Sequence, residues 1–216
     1  MELSINYRFL IVDDHYVARQ GVSFIVEEMF YNAIIYHSET FEGVAKILKE
    51  DKIDLLILEI NFTIGDGLAI IEEIIKIQQD IKILIFTVCD ENIYAMKYLN
   101  AGVSGYLNKG STLEEIKQAL RLMMFSGKYM TQNIKSKISN YGTSNKPINP
   151  LDQLSNREVE VARLLIKGYG NLEITNLMQI KKSTVSTLKK RIFEKLEIDS
   201  LPALIEFFQL YFKKSH

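Results

Sequence analysis

Residues 54–77 read DLLILEINFTIGDGLAIIEEIIKI. The first part, Asp54–Ile60, begins on an acid and continues as branched apolar side chains broken by Glu59. That is the composition of a strand covered on both faces. The period then changes: over 67–79, Leu68, Ile71, Ile74, Ile75 and Gln78 fall on one stripe at helical spacing. The β-branched content of this stretch also leaves a strand reading open. A buried strand, a short loop and an amphipathic helix make one βα unit.

The same alternation extends outward on both sides. Apolar runs at Tyr7–Val12, Ala33–Tyr36, Ile81–Val88 and Gly102–Leu107 alternate with helical patterns near 15–30, 40–50, 90–101 and 112–125. Strict alternation predicts a doubly wound α/β domain, (βα)5, with five parallel strands over residues 1–126. Residues 127–150, rich in Asn, Ser, Lys, Gly and Pro, read as a linker, mobile over 140–150.

Residues 151–216 predict a small all-α domain of four helices. Ser155 with Glu158 three places on is a capping box. Val159, Ala162, Leu165 and Ile166 then form a stripe that stops at Gly168. Further helices are expected at 171–178, from Lys182 or Ser183 to Leu196, and over Leu201–Phe212, with a turn at Ile180–Lys182. Two short helices joined tightly, the second bearing cations, form a helix-turn-helix pattern. Val161, Leu164, Leu165, Ile174, Leu177, Val185, Ile192 and Leu196 can make its core. Phe207, Phe208, Leu210, Tyr211 and Phe212 crowd the last helix, either as core or as an apolar partner surface for a homodimer.

Charge separates the two halves. Residues 1–150 carry 15 Lys/Arg against 19 Asp/Glu, and residues 151–216 carry 11 against 8. Only the back half is suited to a polyanion. Cys89 is the single cysteine, so no intrachain disulfide forms and a reducing, cytoplasmic setting is expected. No apolar stretch is long enough to span a bilayer, and the N-terminus has no secretory pattern. There is no Gly-rich phosphate loop and no nucleophile–base pair, and His15, His37 and His216 lie scattered, which argues against an enzyme.

Ligands of doubly wound sheets gather at the carboxyl ends of the strands. There the sequence sets Asp13 and Asp14 after strand one, Glu59 near the end of strand three, Thr87 at the end of strand four and Lys109 after strand five. Three carboxylates at one rim, Asp13, Asp14 and Glu59, call for a cation, and Mg²⁺ suits an oxygen site of this kind. Lys109 and Thr87 would serve an anionic oxygen.

FLIVDDH, DLLILEINFTIGDG, the Thr of ILIFTVCD, and GYLNKG together resemble a receiver domain of bacterial response regulators. With the second domain, nearly the whole chain resembles the NarL/FixJ family. The resemblance implies a flavodoxin-like fold, Mg²⁺ on the acidic pair and a phosphoacceptor aspartate on strand three served by a histidine kinase. It also implies contacts from Thr87 and Lys109 to the phosphoryl group, and a switch aromatic at Tyr106. Glu59 stands where the acceptor aspartate is expected. Thr63 replaces a proline of the following loop, and neither Asp54 nor Asp66 is placed to substitute. Glutamate is one methylene longer, and phosphoryl transfer tolerates little misplacement. Control independent of aspartyl phosphorylation is therefore expected, with Mg²⁺ weak or absent. Glu59 would either act as a built-in anion or simply pair with Lys109 while another protein or ligand sets the switch.

LSNREVEVARLLIKGYGNLEITNLMQIKKSTVSTLKKRIFEKLEI resembles the LuxR-type helix-turn-helix. The resemblance rests on Leu154, Arg157, Glu158, Gly168, Asn171, Glu173, Ile174, Thr184, Val185, Lys195 and Leu196. It implies double-stranded DNA as a partner. On the expected recognition helix, Ser186, Thr187 and Lys190 point outward for base edges. Lys182, Ser183, Thr184, Lys189 and Arg191 suit phosphates. Ser186 and Leu188 depart from the basic residue and histidine common there. Two alternatives stay open at this level: a conventional phosphorylation-dependent regulator, and a protein-interaction adaptor with a weakened DNA module.

Overall fold

The structure is a computed structural model that describes residues 6–61, 67–143 and 149–211. Thr63, Asp66, Phe212, His216 and residues 144–148 of the expected mobile stretch lie outside these. The chain divides into two compact units, Met1–Ser136 and Lys137–His216.

In the first unit five strands, β1 (Arg8–Val12), β2 (Ile34–Ser38), β3 (Leu55–Leu58), β4 (Lys82–Thr87) and β5 (Gly105–Asn108), form a parallel sheet in the order β2-β1-β3-β4-β5. They alternate with α1 (Tyr16–Met29), α2 (Phe41–Glu50), α3 (Gly67–Ile77), α4 (Glu91–Asn100) and α5 (Leu113–Ser126). The pleat sorts the apolar side chains. Phe9, Ile11, Leu55, Ile57, Leu84 and Phe86 pack with Val22, Val26, Ala119 and Met123 from α1 and α5. Leu10, Val12, Leu56, Leu58, Ile83 and Ile85 pack with Val44, Ile71, Ile74 and Tyr98 from α2, α3 and α4. Burying each such side chain contributes roughly 1.5–3 kcal/mol before entropy is counted, which is why strands so apolar need cover on both sides.

Some boundaries differ from the expected ones. Residues 67–77 are helical, so packing decides the ambiguity, and α3 ends as the Gln78 side chain turns to the backbone of Ile53, with bonds of 2.6 and 3.0 Å. β5 begins at Gly105 instead of Gly102. Gly102, at φ 103°, terminates α4 in the left-handed conformation that favours glycine.

The expected linker contains α6 (Gln132–Thr143), and the division between the two units falls inside it. Thr131 Oγ1 accepts the Ile134 amide at 3.2 Å and starts the helix, while Ile134 is 1% exposed. Before it, Tyr129 bridges Gly105 in parallel and donates its amide to Ser104 at 3.1 Å. That segment covers the outer edge of β5.

In the second unit, a 3₁₀ turn (Pro150–Gln153) leads to α7 (Asn156–Ile166), α8 (Asn171–Met178), α9 (Lys182–Leu196) and α10 (Leu201–Tyr211). Its core is Leu154, Val161, Ala162, Leu165, Ile174, Val185, Ile192, Leu196, Leu204, Phe207 and Phe208. One expectation changes, and one open alternative narrows. Leu177 is 58% exposed, because on this short helix Met178, one turn on from Ile174, shares the inward face. The aromatic cluster of α10 is mainly core: Phe207 and Phe208 are buried, and Phe207 stacks on Tyr211 at 4.8 Å. Leu210 and Tyr211 are half-buried. Among the described residues no helix is long and apolar enough to cross a membrane.

A Cβ at Gly105 would lie 2.9 Å from Met123 Sδ, 3.0 Å from Leu84 Cδ1 and 3.0 Å from the Tyr129 carbonyl. Gly105→Ala is expected to destabilise the first unit by about 1–3 kcal/mol, as overpacking does. The midpoint of urea unfolding measures it, and an unchanged midpoint would mean that this edge is loosely packed.

Candidate functional site

The order of the strands makes β1 and β3 neighbours, with the chain departing to opposite sides of them. The crevice of such a sheet opens at that point. Asp13 and Glu59 follow β1 and β3 directly, and they are 4% and 3% exposed. Two buried carboxylates so close need positive charge. Lys109, which follows β5 by way of Asn108, supplies it: Nζ pairs with Asp13 Oδ2 and, at 2.8 Å, with Glu59 Oε2. Burial alone would pull Lys109 down. Its hydrogen bonds to Asp13 and Glu59, with their charges, outweigh burial and hold the ammonium above its ordinary value.

The second oxygen of Glu59 is equally engaged. Oε1 accepts the Thr87 hydroxyl, the Ile60 amide at 2.6 Å and the Asn61 amide at 2.7 Å. Five of the expected residues, Asp13, Glu59, Thr87, Lys109 and Asp14, thus meet at this rim, although Asp14 faces solvent with 49% of its side chain exposed. Tyr106, the sixth, is fully buried and points its hydroxyl at the Cys89 carbonyl, 3.0 Å away. Burial pushes its phenol far above the ordinary range. A cavity of about 300 Å³ opens beside them, lined by Asp14, His15, Ala18, Glu59, Asn61, Val88 and Lys109.

Of the three carboxylates expected to hold a cation, Asp13 and Asp14 lie in one close group of donor atoms, and that group does not include Glu59. Among the described residues, the donor atoms that gather within 4.8 Å of one another belong to Asp13, Asp14 and His15. His15 Nδ1 lies 2.8 Å from Asp14 Oδ1, so the histidine is not the isolated residue its sequence position implies. Mg²⁺ accepts one or two carboxylates and keeps several waters. Asp13 and Asp14 fit that requirement, and Asp13, like Glu59, has both oxygens engaged, by Lys109 and by the His15 amide.

Sequence reasoning overlooked two residues. Asn108 accepts the Gly110 amide at 2.8 Å and donates Nδ2 to the carbonyls of Val88 and Cys89 at 3.3 and 3.1 Å. Arg19, 4% exposed, donates to the Asp13 carbonyl at 2.5 Å and pairs with Glu39, and its buried Nε lacks a hydrogen-bond partner. An arginine on the inner face of α1 at helical spacing from Val22 and Val26 was the available signal for the second. No local pattern announces the first.

In the second unit, Val185, Ile192 and Leu196 hold α9 inward, and Lys182, Ser183, Thr184, Ser186, Thr187, Lys190 and Arg191 are exposed. Lys189 is half-buried, with its ammonium 5.5 Å from the centre of the Phe193 ring. α5 and α7 close their N-termini with capping boxes. α9 has no side-chain cap and no acid in its first turn, so its positive end stays open beside Lys181 and Lys182. Lys190 pairs with Glu194 at 3.6 Å in full solvent, an interaction weak enough to exchange for another anion. Glu158, buried at the start of α7, accepts Lys195 Nζ and the Ser155 amide, each at 2.7 Å. Burial raises its carboxyl, but these partners outweigh it and the net direction is down.

Residues 9–121 match the response regulator receiver domain, and residues 152–208 match bacterial regulatory proteins of the luxR family. The response regulator GacA of Pseudomonas aeruginosa is 28% identical over 194 residues, 89% of this chain and 91% of that protein. The oxygen regulatory protein NreC of Staphylococcus carnosus is 30% identical over 208 residues, 93% of this chain and 95% of NreC. Among solved structures, two RcsB dimers bound to two parallel DNAs give a TM-score of 0.75 at 21% identity, covering 95% of this chain and 99% of that one. RcsB of Salmonella enterica serovar Typhimurium, bound to promoter P1flhDC with phosphomimetic BeF₃⁻, gives 0.72 at 21% identity, covering 94% and 98%.

Removing the shared cation tests the pairing at the rim. Lys109→Met is expected to cost about 3–5 kcal/mol, the usual effect of orphaning a buried charge. Adding Glu59→Gln should recover part of that loss. Urea unfolding followed by circular dichroism reads both, and a double variant no more stable than the single one would count against the pair.

Proposed function

The chain belongs to the response regulator family, with a receiver domain at residues 9–121 and a luxR-type DNA-binding domain at 152–208, and from that premise we propose that Glu59, not aspartyl phosphate, sets its receiver. It is a DNA-binding transcription regulator. On this reading residues 1–126 are regulatory, 151–216 bind DNA and 127–150 connect them.

One observation carries the proposal: the Glu59 carboxylate already holds the Thr87 hydroxyl and the Lys109 ammonium. Those are the two groups that the family resemblance assigns to the phosphoryl group. A nucleophile must present a free oxygen in line with the incoming phosphorus. Here each carboxylate oxygen accepts charge-assisted or amide hydrogen bonds. Glu59 is accordingly a poor acceptor and a standing anion. The inward Tyr106 supports the same conclusion, since rotation of this aromatic accompanies activation in receivers.

Mg²⁺, where bound, would be held by Asp13 and Asp14 and completed by water, supplying only charge neutralisation at the rim. Asp13 orients Lys109, and Arg19 fixes the main chain of Asp13. A histidine kinase that docks here would act as a binding partner and not as a phosphoryl donor. The likeness to RcsB dimers on DNA supports a homodimer on a two-fold site, with Ser186, Thr187 and Lys190 facing base edges and Lys182, Ser183, Thr184, Lys189 and Arg191 facing phosphates.

Incubation with acetyl phosphate followed by intact-mass measurement is expected to give no adduct on the parent chain, and one phosphoryl group on Glu59→Asp. A stoichiometric adduct on Glu59 itself would overturn the proposal. For the DNA half, Lys190→Ala is expected to weaken binding by about 1–3 kcal/mol, as for loss of a good base contact. The measurement is fluorescence anisotropy on a duplex selected in vitro against the parent protein. Unchanged affinity would move the reading face elsewhere on α9.

A further inference from the structure

The chain does not leave the first unit when α5 ends. Tyr129 lines the edge of β5, and Met130 and Ile134 then turn into the core on the α2–α4 side of the sheet. At that place three polar bonds converge on the first turn of α4. Thr131 donates to Glu91 Oε2 at 3.0 Å, and Asn133 Nδ2 donates to Glu91 Oε1 and to Asn92 Oδ1, both at 2.8 Å. The same Thr131 oxygen accepts the Ile134 amide, so one hydroxyl both starts α6 and holds Glu91.

The first turn of α4 follows the loop that carries the pocket. Thr87 bonds Glu59 and accepts the Cys89 amide at 3.3 Å. The Cys89 carbonyl receives both Tyr106 and Asn108, and Asp90 caps α4 through the Asn92 amide at 2.9 Å. Every group from Glu59 to Asn133 is therefore hydrogen-bonded or chain-adjacent to the next.

We propose that Glu91 and Asn92 are positioning residues which clamp Thr131 and Asn133, so that the first turn of α4 relays the state of the β4–α4 loop to the connecting helix. An acid in the first turn of a helix is favoured by the dipole alone. The dipole does not require both of its oxygens to face α6. The polar bonds are half-buried or exposed, while Ile134 is a buried anchor. Such bonds break and reform locally without unfolding the domain, as a relay needs. The relay is separate from the question of what sets the pocket, and it stands whether or not Glu59 can be phosphorylated.

Hydrogen exchange on the full chain tests it. Glu91→Ala is expected to speed exchange over 132–137 by about fivefold or more, as for release of a locally stabilised segment. Glu91→Gln, which keeps an acceptor, should stay near the parent. Asn108→Leu loosens the loop from the other end and should speed exchange at 88–92 and also at 132–137. Once Glu91 is alanine, it should add nothing at 132–137. Asn108→Leu that speeds 88–92 alone would overturn the proposal, as would an effect on α6 that persists unchanged after Glu91→Ala. Asn108→Leu that alters neither segment would overturn it equally, because the loop would then not be held by that side chain.

Discussion

One ammonium between two buried carboxylates is the constraint around which the first unit is arranged. Neither Asp13 nor Glu59 can be left unpaired at 4% and 3% exposure, and the nearby cation, Lys109, arrives from a different strand. Strand register, the short passage through Asn108 and the orientation of Asp13 must therefore agree with one another. Arg19 adds a second cation behind Asp13 and ties its main chain to Glu39. Such a network adds little net stability over an apolar core of the same shape, but breaking any member is costly. That asymmetry makes it a device for fixing geometry.

Much of this was legible in the sequence, and for identifiable reasons. Continuous apolar strands and amphipathic helices have different periods, so the five βα units and the four later helices could be placed within a few residues. Parallel topology sends all strand ends to one rim, which brings Asp13, Glu59, Thr87 and Lys109 together without any knowledge of loops. The resemblance to receiver and LuxR-type domains agrees with the family matches at 9–121 and 152–208.

What could not be read depends on side-chain direction and long-range packing. A polar stretch such as 127–143 reads as linker because two isolated anchors, Tyr129 and Ile134, make no periodic pattern. Leu177 reads as core because a helix of eight residues has too few turns to define its inward face. The aromatic end of α10 reads equally as core or as partner surface, because spacing along one helix does not show what covers Phe207 and Phe208. Glu59 was identifiable by position, yet its separation from the Asp13, Asp14 and His15 group depends on where its extra methylene carries the carboxylate.

The covalent nature of the Glu59 anion has a consequence for time. A phosphoryl group on a receiver departs by hydrolysis, so the signal it carries decays at a rate that chemistry sets. A side-chain carboxylate cannot depart. On the reading proposed for this pocket, its residence equals the lifetime of the polypeptide, so synthesis, dilution by growth and proteolysis set how much of the regulator carries it. Control then passes from reaction kinetics to protein abundance.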